Sequence, residues 1–187
     1  MLTRATDEEL LSRARSGDEP AFAALYGRRE GGIYRFALQM SGSVEIAEDV
    51  TQEVFLMLAR GGSDYDPARG SLCAWLYGIA RNLARRALER RGDWVPLDEE
   101  NGTETAAGQP SPLGSLLRNE AAEAVRRAVL SLPGQYREAV VLCDLQDLSY
   151  TDAAEALRCP IGTLRSRLNR ARTLLASKLQ AARGCCV

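Results

Sequence analysis

The chain of 187 residues is long enough to bury two small helical cores, and its formal net charge of −1 with a pI near 5.7 argues against a protein that coats nucleic acid indiscriminately. It has no histidine, and its five cysteines, Cys73, Cys143, Cys159, Cys185 and Cys186, show no C-x-x-C spacing. The commonest general base is therefore missing, and neither a disulfide framework, a zinc site nor an enzyme's catalytic group is expected; no metal and no cofactor are expected either. The near-neutral total hides a segregation of charge. Residues 81–91 hold five arginines against one glutamate, 158–183 hold seven basic residues and no acid, and 93–104 hold five acids and no base. Such a chain could touch DNA at two places and keep acidic surface for a protein partner. The first residues lack the order of a signal peptide and no apolar run approaches membrane-spanning length, so a cytoplasmic protein with no membrane contact of its own is expected.

Residues 7–16 predict a short helix with acids in its first turn and arginines near its end, stopped by Gly17. A second helix is predicted over about 18–40, with Phe22, Leu25, Tyr26, Ile33, Phe36, Ala37 and Met40 in the core and a kink or break at Gly31-Gly32. Residues 44–59 read as a strongly amphipathic helix. Ile46, Ala47, Val50, Val54, Phe55 and Leu58 form its buried stripe, and Glu45, Glu48, Asp49, Gln52 and Glu53 lie on the other side, as a solvated face or a docking surface for a basic partner. The turn formers of 61–70 predict a loop. Residues 72–91 then begin apolar and aromatic and end densely basic. Trp75, Leu76, Ile79, Leu83 and Leu88 are expected to pack inward, leaving Tyr77, Arg81, Asn82, Arg85 and Arg86 for solvent or a ligand; aromatic groups beside a basic helix suit unpaired bases and their phosphates.

From about 93 to 114 the pattern collapses into acidic, glycine- and proline-containing sequence, predicting a flexible linker. Helical periodicity resumes near Ser115 with Leu116, Leu117, Ala121, Val125, Ala128, Val129 and Leu130, and again over 136–145. The expected organisation is an all-α fold of two small helical domains, 1–92 and 115–187, joined by the linker 93–114.

Residues 148–175 read as two helices joined by a tight turn, a helix-turn-helix. Ser149 caps the first, whose apolar residues are Ala153, Ala154 and Leu157, and residues 158–160 break it, with Pro160 in the first turn of the second. Ile161, Leu164, Leu168, Ala171 and Leu175 are predicted to face inward. Thr163, Ser166, Asn169, Arg170 and Thr173 then face outward, flanked by Arg165, Arg167 and Arg172. Short polar donors between guanidinium groups suit a major groove lined by phosphates; the plainer alternative is a solvated basic face on a helical hairpin.

These stretches together resemble the extracytoplasmic-function (ECF) family of bacterial RNA polymerase sigma factors of the sigma-70 superfamily. The resemblance rests on Ala21-Phe-Ala-Ala-Leu-Tyr26, Ala47-Glu-Asp-Val-Thr-Gln-Glu-Val-Phe55 and Trp75-Leu-Tyr-Gly-Ile-Ala-Arg-Asn82 in the first half. In the second it rests on Leu132-Pro133, Arg137-Glu-Ala-Val140, Leu148-Ser-Tyr150 and Gly162-Thr-Leu-Arg-Ser-Arg-Leu-Asn-Arg-Ala-Arg172. It implies an alternative sigma factor that joins core RNA polymerase, binds promoter DNA, is controlled by an anti-sigma factor and performs no chemistry. It further implies that Asp49, Gln52 and Glu53 meet the polymerase. The 61–70 loop, with Asp64, Tyr65 and Arg69, would act together with Trp75, Arg81, Asn82, Arg85 and Arg86 to read and hold open the −10 element. Thr163, Arg165, Ser166, Arg167, Asn169 and Arg170 would read the −35 element. Gly78 departs from the family, which often has arginine there, and so does Gly31-Gly32. The competing readings are a helix-turn-helix regulator that acts without joining polymerase and a helical adaptor with no nucleic-acid role.

Overall fold

A computed structural model of the chain describes residues 5–60, 65–94 and 118–184. The fold is all-α among the described residues, in two helical regions. The first contains α1 (Asp7–Arg15), α2 (Glu19–Ser41), α3 (Val44–Ala59), a single 3-10 turn (Pro67–Arg69) and α4 (Leu72–Arg91). The second contains α5 (Arg118–Leu130), α6 (Gly134–Val140), which passes into a π turn (Val141–Leu145), then α7 (Tyr150–Ala156) and α8 (Ile161–Gly184). No helix among the described residues is long and apolar enough to cross a membrane.

Local chemistry sets most of the helix starts. Thr6 and Glu9 close a reciprocal capping box on α1, and the side chains of Asp18, Ser43, Ser71 and Ser149 each accept a backbone N–H at the starts of α2, α3, α4 and α7. Asp7, buried, ion-pairs with Arg28 and Arg29 and ties α1 to α2. The stripe predicted for α3 is buried throughout, with Thr51 beside it.

Tertiary contacts override the local pattern at several positions. Helix α2 runs unbroken through Gly31-Gly32, where a break was expected. A Cβ at Gly32 would lie 2.7 Å from the Tyr77 hydroxyl oxygen, so this glycine lets α4 approach closely rather than interrupting the helix. Tyr26, expected in the core, is exposed at its rim, with its ring against Phe55 at 4.6 Å between centroids. Residues 136–145 do not form one plain α-helix: at the π turn the Gln146 N–H reaches back five residues to the Val141 carbonyl, at 3.0 Å. Pro160 stands just before α8, its carbonyl accepting the Leu164 N–H, and not inside the first turn. Ile161, expected inward, is 40 % exposed, and the buried stripe of α8 starts at Leu164 and continues through Leu168 and Ala171. On α5, Ala121 and Val125 are likewise exposed, while Ala128 and Val129 are buried.

Most of the buried apolar side chains form one contiguous cluster through both regions. Helix α4 packs on α7, and α2 packs on α5 and the π turn. The Arg137 guanidinium crosses from α6 to donate to the Met40 carbonyl in the last turn of α2 (2.7 Å), as well as to the Leu130 and Leu132 carbonyls. Trp94, assigned by the sequence pattern to the linker, instead packs over Gly134 at the start of α6. The rest of the linker and Leu116 and Leu117 lie outside the described residues.

Candidate nucleic-acid interfaces

Helix α8 presents one of the predicted surfaces openly. Arg165, Ser166, Asn169 and Arg170 are all exposed, and steps of one, three and one residue keep them on one face at 3.6 residues per turn. The Arg165 guanidinium sits 5.8 Å from the centre of the Tyr150 ring, which holds it at the start of the face. Arg172 is gripped by both carboxylate oxygens of Asp144, at 3.0 and 2.6 Å, which raises its pKa above the ordinary arginine range. That pair pins α8 to the π turn. Thr163 is half-buried. Arg167 leaves the exposed row: it lines a cleft with Arg81, Arg85, Trp94 and Cys159.

A second cleft, of ≈ 510 Å³, opens beside α4 and gathers Tyr65, Arg69, Trp75, Asn82 and Arg86. The Tyr65 and Trp75 rings lie 5.8 Å apart, and the Tyr65 hydroxyl donates to the Gly70 carbonyl at 3.2 Å, fixing the aromatic wall. Its volume is that of an ordinary small-ligand site. Two arginines of the predicted set lie elsewhere. Arg85 ion-pairs with Glu89 at 3.3 Å, and Arg81 donates through Nε to Glu138 at 2.7 Å. Asp64 lies outside the described residues. Tyr77, predicted for solvent or ligand, is 5 % exposed: its ring meets Phe36 of α2 edge-on at 5.5 Å between centroids, and its hydroxyl donates to Gln146 Oε1 at 3.4 Å.

Glu138 has no exposed surface. Burial pushes its carboxyl up from the ordinary range and Arg81 opposes the shift, while its second oxygen has no hydrogen-bond partner among the described residues. Burial also pushes the Tyr77 phenol up to about 12 and the Cys143 thiol up to about 11. The Cys73 and Cys159 thiols are raised too, so none of these three cysteines is a thiolate at neutral pH. Cys185 and Cys186 lie outside the described residues.

A third surface is the groove between α3 and α4. Glu45, Asp49, Gln52 and Glu53 line one wall, Arg90 and Arg91 the other, with Leu56 and Leu83 between them. Arg91 meets Glu45 at 3.0 Å, closing one end with a charge pair. Three of its acidic or amide groups are the predicted protein-docking residues, and half-exposed Leu56 adds an apolar anchor.

Sequence reasoning missed Glu138, Gln146, Asp152, Glu155, Tyr150 and Asp144 as partners of these surfaces. Arg172 and Asp144 stand 28 residues apart, and Tyr77 and Gln146 stand 69 apart. No helical or strand period links positions at such separations, and the α6 sequence alone does not show that Glu138 is buried and must find a partner.

Comparison with known proteins supplies the relatives. The family model described as Sigma-70 region 2 matches residues 25–93, and that described as Sigma-70, region 4 matches residues 122–175. The RNA polymerase sigma-H factor of Pseudomonas aeruginosa is 33 % identical over 96 % of this chain and 97 % of its own. The ECF RNA polymerase sigma factor SigW of Bacillus subtilis is 30 % identical over 91 % of this chain and 95 % of its own. Among solved structures, CnrH in complex with the cytosolic domain of CnrY is similar with a TM-score of 0.70 and 25 % identity, covering 94 % of this chain and 97 % of that one. The sigma factor RpoE in complex with the anti-sigma factor NepR from Bartonella quintana is similar with a TM-score of 0.64 and 28 % identity, covering 85 % of this chain and 96 % of that one.

Proposed function

Since this chain belongs to the ECF family of RNA polymerase sigma factors, and so acts as an alternative sigma factor directing transcription initiation with RNA polymerase, we propose a division of labour among its three surfaces. Residues 115–187 form the domain that reads the −35 duplex, with Arg165, Ser166, Asn169 and Arg170 on base edges and Thr163 and Arg167 toward the backbone. Residues 1–92 form the domain that binds core polymerase through Asp49, Gln52 and Glu53 and captures the melted −10 strand in the Tyr65–Trp75 cleft. The linker 93–114 lets the two act at separated promoter elements.

The energetics favour this arrangement. Taking a base out of the stack costs a few kcal/mol, and stacking it on an aromatic side chain returns about 1–3 kcal/mol per base. Arg69 and Arg86 flank the aromatic wall and can hold the adjacent phosphates, while Asn82 offers both a donor and an acceptor to a base edge. Each half makes few phosphate contacts alone, so the two readers must engage together on the polymerase to reach useful specificity. The protein performs no chemistry of its own and works in the cytoplasm. Its likeness to RpoE bound to NepR supports control by an anti-sigma factor.

The observation that carries the reading is the presence, in one chain, of an exposed duplex-reading row on α8 and a separate aromatic and basic cleft on α4. Run-off transcription with core RNA polymerase on fragmented genomic DNA tests it. Defined transcripts are expected only when this chain is added, and their absence on every template would rule the function out. In the same assay Asp49→Arg is expected to weaken polymerase capture about tenfold, roughly 1.4 kcal/mol, by placing a cation in the acidic wall of the groove.

A further inference from the structure

A cleft between α4 and the helix-turn-helix gathers four arginines around a tryptophan. Arg81, Arg85 and Glu89, spaced four residues apart on one face of α4, form one wall. Arg158 from the turn after α7, Arg167 from α8, Gln135 from α6 and Trp94 help to enclose a space of ≈ 290 Å³. Arg81, Arg167 and Arg85 all act on the fully buried Glu138 carboxylate, so α4 and α8 deliver their guanidinium groups to the same place. Carboxylates do not neutralise this convergence. Arg81 is held by Glu138 and Arg85 by Glu89, each through its Nε, which leaves the terminal nitrogens of both forks for another acceptor. Arg158 and Arg167 have no ion pair among the described residues. Four guanidinium groups against the two carboxylates Glu89 and Glu138 leave an excess of two positive charges, close to the charge of a phosphate monoester at neutral pH.

The backbone at Arg158 points the same way. Its N–H reaches the Glu155 carbonyl at 2.9 Å and the Cys159 N–H reaches the Ala154 carbonyl at 3.0 Å, closing α7 with Arg158 in the left-handed conformation at φ 51°. Glycine takes that position without steric cost, so an arginine there gives up local stability while adding a cation to the cleft wall. The other walls select for more than charge. Half-buried Trp94 gives an indole surface on which a planar base can stack, and the Gln135 amide has a donor and an acceptor for a base edge. The volume lies at the small end of the range for ligand sites, which suits one base, one sugar and one phosphate and not a nucleic-acid strand. We propose that this cleft binds a free purine nucleoside monophosphate, its phosphate held by Arg85, Arg158 and Arg167 and its base laid on Trp94.

Neither DNA nor polymerase enters the test, so its outcome is independent of the promoter assignments, although Arg167 serves both. Isothermal titration calorimetry of the full chain with guanosine 5′-monophosphate (GMP) is expected to show saturable one-to-one binding. Guanosine, ribose 5-phosphate and inorganic phosphate, each lacking part of that ligand, are expected to bind at least about tenfold more weakly. Arg158→Gly should weaken GMP binding about tenfold and leave the urea midpoint unchanged or raised, because glycine fits the left-handed position. Trp94→Leu should weaken GMP binding about tenfold while moving ribose 5-phosphate binding by less than about twofold, and Glu89→Gln should tighten GMP binding severalfold by removing an opposing charge. Arg127→Ala, at an exposed position of α5 outside the cleft, should change nothing. The proposal is overturned by no saturable binding at millimolar GMP, by equal affinity for inorganic phosphate, or by equal losses in Arg158→Gly and Arg127→Ala. It is also overturned if a short 5′-phosphorylated thymidine oligonucleotide displaces GMP at lower concentration than GMP itself needs to bind, which would make the cleft a strand channel.

Discussion

Helices α4 and α8 carry similar chemistry in opposite circumstances. On α8, Arg165, Ser166, Asn169 and Arg170 stand exposed on a helix that Arg172 ties to Asp144 of the π turn, so that face is open. On α4, Arg81 keeps 15 % of its side-chain surface and ends on a fully buried glutamate, Tyr77 is covered, and the cleft beside them is walled by α7. Two basic helices that look alike by composition thus differ in whether their donors are available. The α8 row is exposed, while Arg81 and Tyr77 of α4 are engaged by Glu138 and Gln146 of the second region.

The largest expected effect breaks the closed side of this contrast. Glu138→Ala leaves the Arg81 guanidinium without its partner and removes a fully buried side chain, and loss of one partner of such a pair costs about 3–5 kcal/mol. Urea unfolding followed by Trp75 and Trp94 fluorescence should show that loss, or a new early transition as the regions separate; an unchanged midpoint would mean that the pair does not hold the regions together. Alkaline pH strikes the same interface. The Tyr77 phenol, with Cys73, Arg29 and Arg35 as its charged or titratable neighbours, is raised from 10.0 to about 12 by burial. A raised acid pKa means its contribution is fully present below pH 10 and is lost as pH climbs through about 12, a loss of at most about 2–3 kcal/mol. The urea midpoint of the wild type should therefore fall over that interval, and Tyr77→Phe should flatten the decline.

The open side is probed by smaller changes. Arg170→Ala is expected to lower use of a cognate promoter by about 1–3 kcal/mol in run-off transcription, with no change in urea midpoint, because the side chain is exposed. A shift in stability would show that α8's face is structural after all. Smallest is Tyr150→Ala, which frees Arg165 from its ring and should weaken −35 duplex binding by about 0.5–1 kcal/mol, read by fluorescence anisotropy on the same promoter.

Much of the fold was legible in advance because its signals are local. The cap at Ser149 and the 3.6-residue stripe of α3 specify helices within a few neighbouring residues, and the structure realises them. Departures occur where a distant element intervenes. Gly31-Gly32 reads as a break by propensity, yet Gly32 serves the approach of Tyr77 from α4. Ile161 and Val125 continue their apolar periods, yet both remain exposed among the described residues. Trp94 reads as linker from its acidic neighbours and packs on Gly134.

The same division runs through the sites. Residue types and spacing alone determined that this chain is all-α, that it carries a helix-turn-helix with a polar and basic outer face, that a second basic helix begins with aromatics, and that an acidic face lies on α3. Each of these follows from periodicities and charges confined to one helix. Only the tertiary structure decided which of those groups are free. Arg167 leaves its row, Arg81 is bound to Glu138 across 57 residues, and Ser71 is bound to Asp152 across 81, because availability depends on what packs opposite, and no local period encodes the face of a helix from the other half of the chain.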